Sequence, residues 1–344
     1  MLTHAFKIGE PQNKRKISMY DIQYHNVDLT SKTFLVTGGA GFIGSNIVEY
    51  LLKYGAKKVR VLDNFSTGSE ENLKDFKSNN AFELIEGDIR EINTCRRAVK
   101  DIEFVSHQAA LGSVPRSIDD PITSNDVNIT GFLNMLLAAR DAKVGRFVYA
   151  ASSSTYGDHP DLPKIEDKIG SPLSPYAVTK FVNELYASVF SRIYGFNAIG
   201  LRYFNIFGPR QNPRGPYAAV IPLFIQAASN RTKPKINGDG ETSRDFTFVE
   251  NAVQANIKAF FANNIVKHEI VNIACGQRTS LNELWDSIIK IINIELDPEY
   301  GEERIGDVKH SLADIKKAKD LIGYSPNVSV SEGLKITIPT FMNR

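Results

Sequence analysis

Tyr176-Ala177-Val178-Thr179-Lys180 sets a phenol and an ammonium four residues apart. On a helix that spacing puts both side chains on one face. A phenol with its ordinary pKa of about 10 cannot act as a base at neutral pH. A shift of about three units, roughly 4 kcal/mol, is needed, and a neighbouring positive charge is one source of it. Upstream, Ala151-Ser152-Ser153-Ser154-Thr155-Tyr156-Gly157 follows directly on an apolar run. Hydroxyls at the carboxyl end of a sheet strand face the crevice where open α/β sheets bind ligands. Together the hydroxyl, phenol and ammonium could remove a proton from an alcohol. Taken singly, each reads as a simple turn or a surface helix pair; their order in the chain is the signal.

A second group lies earlier. Thr37-Gly38-Gly39-Ala40-Gly41-Phe42-Ile43-Gly44 sits between an expected strand and an expected helix, and Gly38, Gly41 and Gly44 are spaced three apart. Glycine lets the backbone turn tightly, approach a pyrophosphate and pack helix on strand, while the helix N-terminus offers free N–H groups to phosphates. Asp63 follows about 20 residues on, at the end of the second expected strand, where a carboxylate bonds a ribose 2′-hydroxyl. That carboxylate would repel a 2′-phosphate, so the dinucleotide expected is NAD. Its oxidised nicotinamide would bring a further positive charge near Tyr176.

These residues need a scaffold. From Thr33 to about Gly208, β-branched runs alternate with helical periodicity, the pattern of βαβ units on a parallel sheet. Strands are expected at 33–37, 59–63, 82–86, 104–107, 147–150 and 198–203, with a helix from about Ile122 to Ala142. Pro175 starts another helix, running to about Tyr194, because its missing N–H costs nothing in a first turn. After Gly208, glycine and proline cluster around Gly208-Pro209, Pro213-Arg214-Gly215-Pro216 and Asn237-Gly238-Asp239-Gly240. The expectation is an α/β chain with a Rossmann-type doubly wound parallel sheet and a smaller C-terminal α/β substrate-binding lobe. Residues 1–30 would form an arm, 31–208 the NAD-binding domain and 209–344 mainly the lobe.

Composition excludes several classes. The 344 residues are 42% hydrophobic and 23% charged with a net charge of +2, which argues for no nucleic-acid or membrane partner. Cys95 and Cys275 stand far apart in no metal-ligand spacing, so no metal site is expected and a reducing cytoplasm fits. The first thirty residues carry no signal-peptide pattern, and no apolar run is long enough to span a bilayer.

From about Ser31 to the C-terminus the chain resembles the extended short-chain dehydrogenase/reductases, and within them the N-acetyl-preferring subgroup of the UDP-galactose 4-epimerase family. The matching segments include Leu62-Asp63-Asn64-Phe65-Ser66-Thr67-Gly68, Glu86-Gly87-Asp88-Ile89-Arg90, His107-Gln108-Ala109-Ala110 and Leu111-Gly112-Ser113-Val114-Pro115-Arg116-Ser117. Others are Tyr176-Ala177-Val178-Thr179-Lys180, Arg202-Tyr203-Phe204-Asn205, the 238–246 segment and Arg304-Ile305-Gly306-Asp307.

The resemblance implies that Asp88 and Ile89 frame the adenine, while Phe42, Ile43, Asn64, Ser66, Thr67, Gly68 and Gln108 line the NAD groove. It makes Ser152 and Tyr176 catalytic, with Lys180 beside them. Ser113, Ser153, Asn205 and Ala219 would touch the sugar or its phosphates, Arg244 and Arg304 the pyrophosphate, and Asp307 the uridine ribose. Two guanidinium groups match a diphosphate through paired hydrogen bonds. The activity implied is inversion at C4 of a UDP-N-acetylhexosamine (UDP-GlcNAc to UDP-GalNAc) through a 4-keto sugar, with NAD retained.

In that family a position seven residues after the second diphosphate arginine gates the hexose pocket, and here it is Ser311, a small residue that leaves room for an acetamido group. Related 4,6-dehydratases carry an Asp-Glu pair after the strand-end hydroxyl, where this chain has Ser153-Ser154. The corresponding UDP-N-acetylhexosaminuronic acid is the alternative substrate. An NAD-sensing protein without activity would be expected to lose Tyr176 or Lys180. The resemblance also implies a homodimer whose helices around 122–142 and 175–194 form a four-helix bundle. His107 reads as a satisfied core residue and His159 as an exposed turn residue.

Overall fold

The computed structural model describes residues 19–213, 219–303 and 309–342. Thr33-Phe34-Leu35-Val36-Thr37 is apolar without interruption at its centre, as a strand covered on both faces must be, and it forms the interior strand β1 (Thr33–Thr37). Next come α1 (Phe42–Lys53), β2 (Lys58–Asp63), β3 (Phe82–Glu86), α2 (Ile92–Val99), β4 (Phe104–His107), α3 (Gly131–Asp141), β5 (Arg146–Ser152), α4 (Pro175–Tyr194) and β6 (Ala198–Tyr203). Then follow α5 (Val220–Ser229), α6 (Val249–Phe260), β7 (Glu269–Ile273), α7 (Leu281–Ile292), α8 (Lys316–Ile322) and α9 (Val330–Met342).

The seven strands form one parallel sheet in the order β7-β6-β5-β4-β1-β2-β3. Thr37 pairs with Leu62 on one side and His107 on the other, so the chain reverses its direction of winding between β1 and β4. Ligands bind outside the carboxyl ends of the strands at such a point. Alternate strand residues serve opposite faces. Phe34, Val36, Val59 and Val61 pack under α1 and α6, whereas Leu35, Leu62, Val105 and Phe147 pack under α2, α3 and α4. The fold is the Rossmann-type doubly wound sheet that the sequence leads one to expect.

A further apolar cluster, with Phe207, Ile221, Phe224, Trp285, Ile288 and Leu334, joins α5, α7 and α9. The chain returns to the sheet within its second half, because α6 packs against it and β7 extends its edge beside β6.

Two local features differ from the sequence reading. The expected single helix over 122–142 is helical from Pro121 to Asp141 but has π geometry over Asp126–Thr130. The extra residue in that turn directs Asn128 into the interior, where only 2% of it is exposed. From Met19 onward the N-terminal residues pack on the domain, with Tyr20, Tyr24 and Leu29 buried.

Candidate active site

The dinucleotide cradle follows from β1, the tight turn and the start of α1. Gly38 has φ +66°, and a Cβ there would lie 2.7 Å from the Ala109 nitrogen. A Cβ on Gly44 would lie 2.2 Å from the Gly38 carbonyl oxygen. Only glycine fits either position without moving backbone. At the end of β2, Asp63 accepts hydrogen bonds from the Ala40 N–H at 2.9 Å and the Phe65 N–H at 2.8 Å. Burial pushes its carboxyl upward in pKa while those N–H groups oppose the shift. Beyond β3, Asp88 accepts from Asn64 Nδ2 at 2.9 Å, and its hydrogen bonds to Arg90 hold its carboxyl below the usual range.

The second group lies across the switch point. Ser152 ends β5 and caps the turn after it, its Oγ accepting from the Ser154 N–H. Tyr176 occupies the first turn of α4, started by Pro175 and capped by Ser174. The Tyr176 N–H donates to Ser117 Oγ at 3.0 Å, tying that turn to the short helix Val114–Asp119. One turn on, Lys180 is buried and donates to the Ala150 carbonyl at 2.8 Å. Burial lowers its pKa to about 8, with Glu184, a further turn along, working the other way. Glu184 is itself held by the Arg202 guanidinium through two hydrogen bonds of 2.9 and 2.8 Å.

For Tyr176, burial pushes the phenol up and its hydrogen bond with Ser152 pulls it down. Burial outweighs the hydrogen bond, which leaves the phenol above its ordinary pKa.

Asn128 is a residue that the sequence reading missed. Its side chain accepts from the Leu111 N–H at 2.8 Å and donates to the Leu111 carbonyl at 3.2 Å and to Thr179 Oγ1 at 3.1 Å. It thus fixes the Leu111–Ser113 loop against the helix that carries Tyr176 and Lys180. The π turn that aims it leaves no periodicity signal in a sequence. His107 is buried as expected and shares a 2.8 Å hydrogen bond with Thr37; burial, with the Lys180 charge adding, lowers its pKa to about 3. His159, expected to be exposed, is mostly covered, with 17% of its side chain accessible beside Asp161.

The glycine turn, Asp63, Asp88, Ser152, Tyr176 and Lys180 line one cavity of about 1060 Å³. Gly38, Gly41, Phe42, Ile43, Gly44, Asp63, Asn64, Ser66, Thr67, Asp88, Ile89 and Gln108 line its cradle side. Ser113, Ser152, Ser153, Tyr176, Lys180, Asn205, Ala219 and Arg244 line the rest. Gly68 and Ser311 do not line it. Gly68 lies close against Ala40, and the Ser311 N–H donates to the Ser243 carbonyl, next to Arg244. Arg304 and Asp307 lie outside the described residues. Gln211 and Thr242, not anticipated, also line the wall. Among the described residues no group of three or more His, Cys, Asp or Glu could hold a metal, and no helix is long and apolar enough to cross a membrane.

Comparison with known proteins agrees with this geometry. A putative UDP-glucose 4-epimerase of Methanocaldococcus jannaschii is 38% identical over 90% of this chain and 98% of its own length. A UDP-N-acetylglucosamine 4-epimerase from Methanobrevibacter ruminantium M1, solved with UDP-N-acetylmuramic acid, superposes with a TM-score of 0.86 at 38% identity, covering 91% of this chain and 99% of that one. A UDP-glucuronic acid 4-epimerase from Bacillus cereus, in complex with UDP-glucuronic acid and NAD, gives a TM-score of 0.84 at 30% identity over 90% of this chain and 99% of that one. Residues 34–274 match the NAD dependent epimerase/dehydratase family, and the chain belongs to that family, as an enzyme with NAD as its cofactor.

Proposed function

We propose that this enzyme inverts C4 of a UDP-N-acetylhexosamine, interconverting UDP-GlcNAc and UDP-GalNAc through a 4-keto sugar. The observation that carries the proposal is the convergence of Ser152, Tyr176 and Lys180 on one cavity between the glycine cradle and the wall bearing Arg244. The cradle fits NAD: Gly38 and Gly44 leave no room for a Cβ, and the carboxylate of Asp63 stands at the strand end. Bound there, NAD supplies a reversible two-electron oxidant and a positive charge.

Tyr176 takes the proton from the sugar's O4, and Ser152 holds that oxygen in line. Lys180 keeps an ammonium beside the phenol below about pH 8. Arg244 anchors the pyrophosphate, with Arg304 and Asp307 as further anchors of the nucleotide, while Ser113, Ser153, Asn205 and Ala219 meet the sugar or its phosphates. Firm anchoring of the diphosphate with light anchoring of the hexose lets the keto sugar turn over and present its other face. The residues up to about 208, with α6 and β7 returning to the sheet, would then form the cofactor domain, and most of the rest a lobe that grips the nucleotide.

Support for the N-acetylated sugar comes from the small Ser311 beside Ser243, and from the likeness to the Methanobrevibacter UDP-N-acetylglucosamine 4-epimerase. The corresponding uronic acid is the second reading, supported by the likeness to the Bacillus UDP-glucuronic acid 4-epimerase. The pathway class would be polysaccharide biosynthesis in the cytoplasm, consistent with two cysteines that form no disulfide. A homodimer is part of the proposal: Ile118, Ile122, Val178, Leu185 and Ile193 leave large apolar side chains exposed on the 114–141 segment and α4. Incubating the protein with UDP-Glc, UDP-GlcNAc and their two uronic acids, followed by proton NMR, tests the substrate. Turnover of UDP-GlcNAc ahead of the other three is expected; preference for UDP-Glc overturns the N-acetyl assignment.

A further inference from the structure

Residues 19–33 precede the part of the chain that matches the family, yet Tyr20 is fully buried in the domain. Tyr20 holds a left-handed backbone, φ 64°, uncommon for a residue with a Cβ. Its N–H donates to Glu250 Oε1 on α6 at 3.1 Å, and its carbonyl accepts from Oη of Tyr54, the residue that caps the C-terminus of α1, at 2.9 Å. The backbone is thus pinned from two helices, and the side chain has one direction to take.

That direction ends at Asn46 on α1. Tyr20 Oη donates to Asn46 Oδ1 at 2.7 Å. With Oδ1 so held, the amide Nδ2 points the other way and donates to two carbonyls, Phe42 at 2.8 Å and Pro209 at 3.2 Å. Phe42 opens α1 and lines the cavity; Pro209 lies in the loop after β6. One side-chain amide therefore fastens the cradle wall to that loop. Arg210 reinforces it, with its guanidinium 2.7 Å from Glu49 on α1 and over the Phe76 ring.

The loop delivers Gln211 to the cavity. Gln211 Nε2 donates to the Ile206 carbonyl at 3.3 Å, whereas its Oε1 is buried with no partner among the described residues. A buried acceptor left unpaired costs free energy unless a bound molecule supplies the donor.

We propose that the Met19–Leu29 segment is a positioning strap, in which Tyr20 acts through Asn46 to hold the Gly208–Gln211 loop so that the Gln211 side chain, which lines the cavity, can turn its unpaired Oε1 to a hydroxyl or N–H of a bound nucleotide. The inference rests on the function proposed above for the nature of that nucleotide, which is either NAD or the uridine nucleotide. Tyr24 belongs to the same strap, but its hydroxyl meets Glu250 and Asn327 and makes no bond to Asn46. It provides the control.

The test compares full-length wild type with Tyr20→Phe, Gln211→Ala and Tyr24→Phe. Hydrogen exchange at the amides of residues 210–212, retained NAD after gel filtration, and affinity for UDP by calorimetry are read on each. Tyr20→Phe should speed exchange in the loop and weaken NAD or UDP about five-fold, ~1 kcal/mol. Gln211→Ala should weaken the same nucleotide as Tyr20→Phe does, and Tyr24→Phe should change neither the loop nor either affinity. The nucleotide that loses affinity identifies the partner of Gln211. Unchanged exchange in Tyr20→Phe, or faster exchange with both affinities intact, overturns the strap. Equal loop exchange in Tyr24→Phe does so too, since that is general loosening. A wild type that binds neither NAD nor UDP instead sinks the functional reading on which the ligand assignment rests.

Discussion

The Lys180 ammonium lies 5.9 Å from the centre of the Tyr176 ring while donating to the Ala150 carbonyl. The lysine is thereby anchored to β5, the strand that ends in Ser152, and not to the phenol directly. Burial pushes the phenol up, and in the proposed reaction the positive charge of bound NAD would lower it. Base strength and cofactor binding are linked in this way.

Replacing Tyr176 by Phe removes the proton acceptor and leaves the cradle untouched. Turnover should fall by at least about a hundred-fold while NAD stays bound, as read by sugar-nucleotide NMR and by cofactor content after denaturation. A variant with more than a tenth of wild-type turnover would assign the base elsewhere.

Asn128→Ala removes three hydrogen bonds linking the Leu111–Ser113 loop to α4. The Leu111 N–H and carbonyl lose their partner in the interior, so stability should drop by about 1–3 kcal/mol, measured by urea unfolding. The rate should also fall about ten-fold, because Ser113 and Tyr176 are no longer held at a fixed separation. A rate loss that vanishes when stability is restored by added NAD would contradict the positioning role.

His107 and His268 are kept neutral by burial, with pKa values lowered to about 3 and about 4. In the unfolded chain each takes up a proton near pH 6.5. The unfolded state then binds more protons than the folded one, so stability falls as pH drops from about 6.5 toward 4, by up to about 1.4 kcal/mol per pH unit for each histidine. Urea unfolding at pH 4.5, 5.5 and 6.5 should show that slope, and His268→Asn should flatten it. An unaltered slope in the variant would place the acid sensitivity on other groups.

Much of this arrangement was readable beforehand, for physical reasons. Gly38 and Gly44 are dictated by backbone clashes, and Gly41 sits tight against the Gly38 carbonyl, so their spacing survives as a motif; Tyr176 and Lys180 share a helix face by local geometry. Parallel strands such as 33–37 must be apolar on both faces and stand out as runs. The π turn over Asp126–Thr130 obeys no such rule, since one inserted residue shifts the helix phase without altering composition, and Asn128 went unnoticed. The burial of Tyr20 and Tyr24 was equally hidden, because their partners Asn46, Tyr50 and Glu250 are brought together only by the tertiary fold. The pairing of β7 with β6 joins residues about 70 positions apart, and local patterning does not announce it.

Ser311 adjoins the cavity wall through Ser243 without lining it. Ser311→Tyr should bring a ring against the hexose region and reduce turnover of N-acetylated sugars about ten-fold or more, with plain hexoses less affected. Competition assays with UDP-GlcNAc and UDP-Glc read the ratio; equal losses on both would remove Ser311 from the specificity account.

The central claim is that the sugar's own C4 hydrogen leaves and returns within the closed site, while Tyr176 handles only the O4 proton. Epimerisation in deuterium oxide, followed by proton NMR and mass spectrometry of the product, measures this directly. Product that keeps protium at C4 is the predicted result. Deuterium at C4 would show exchange with solvent and contradict the account.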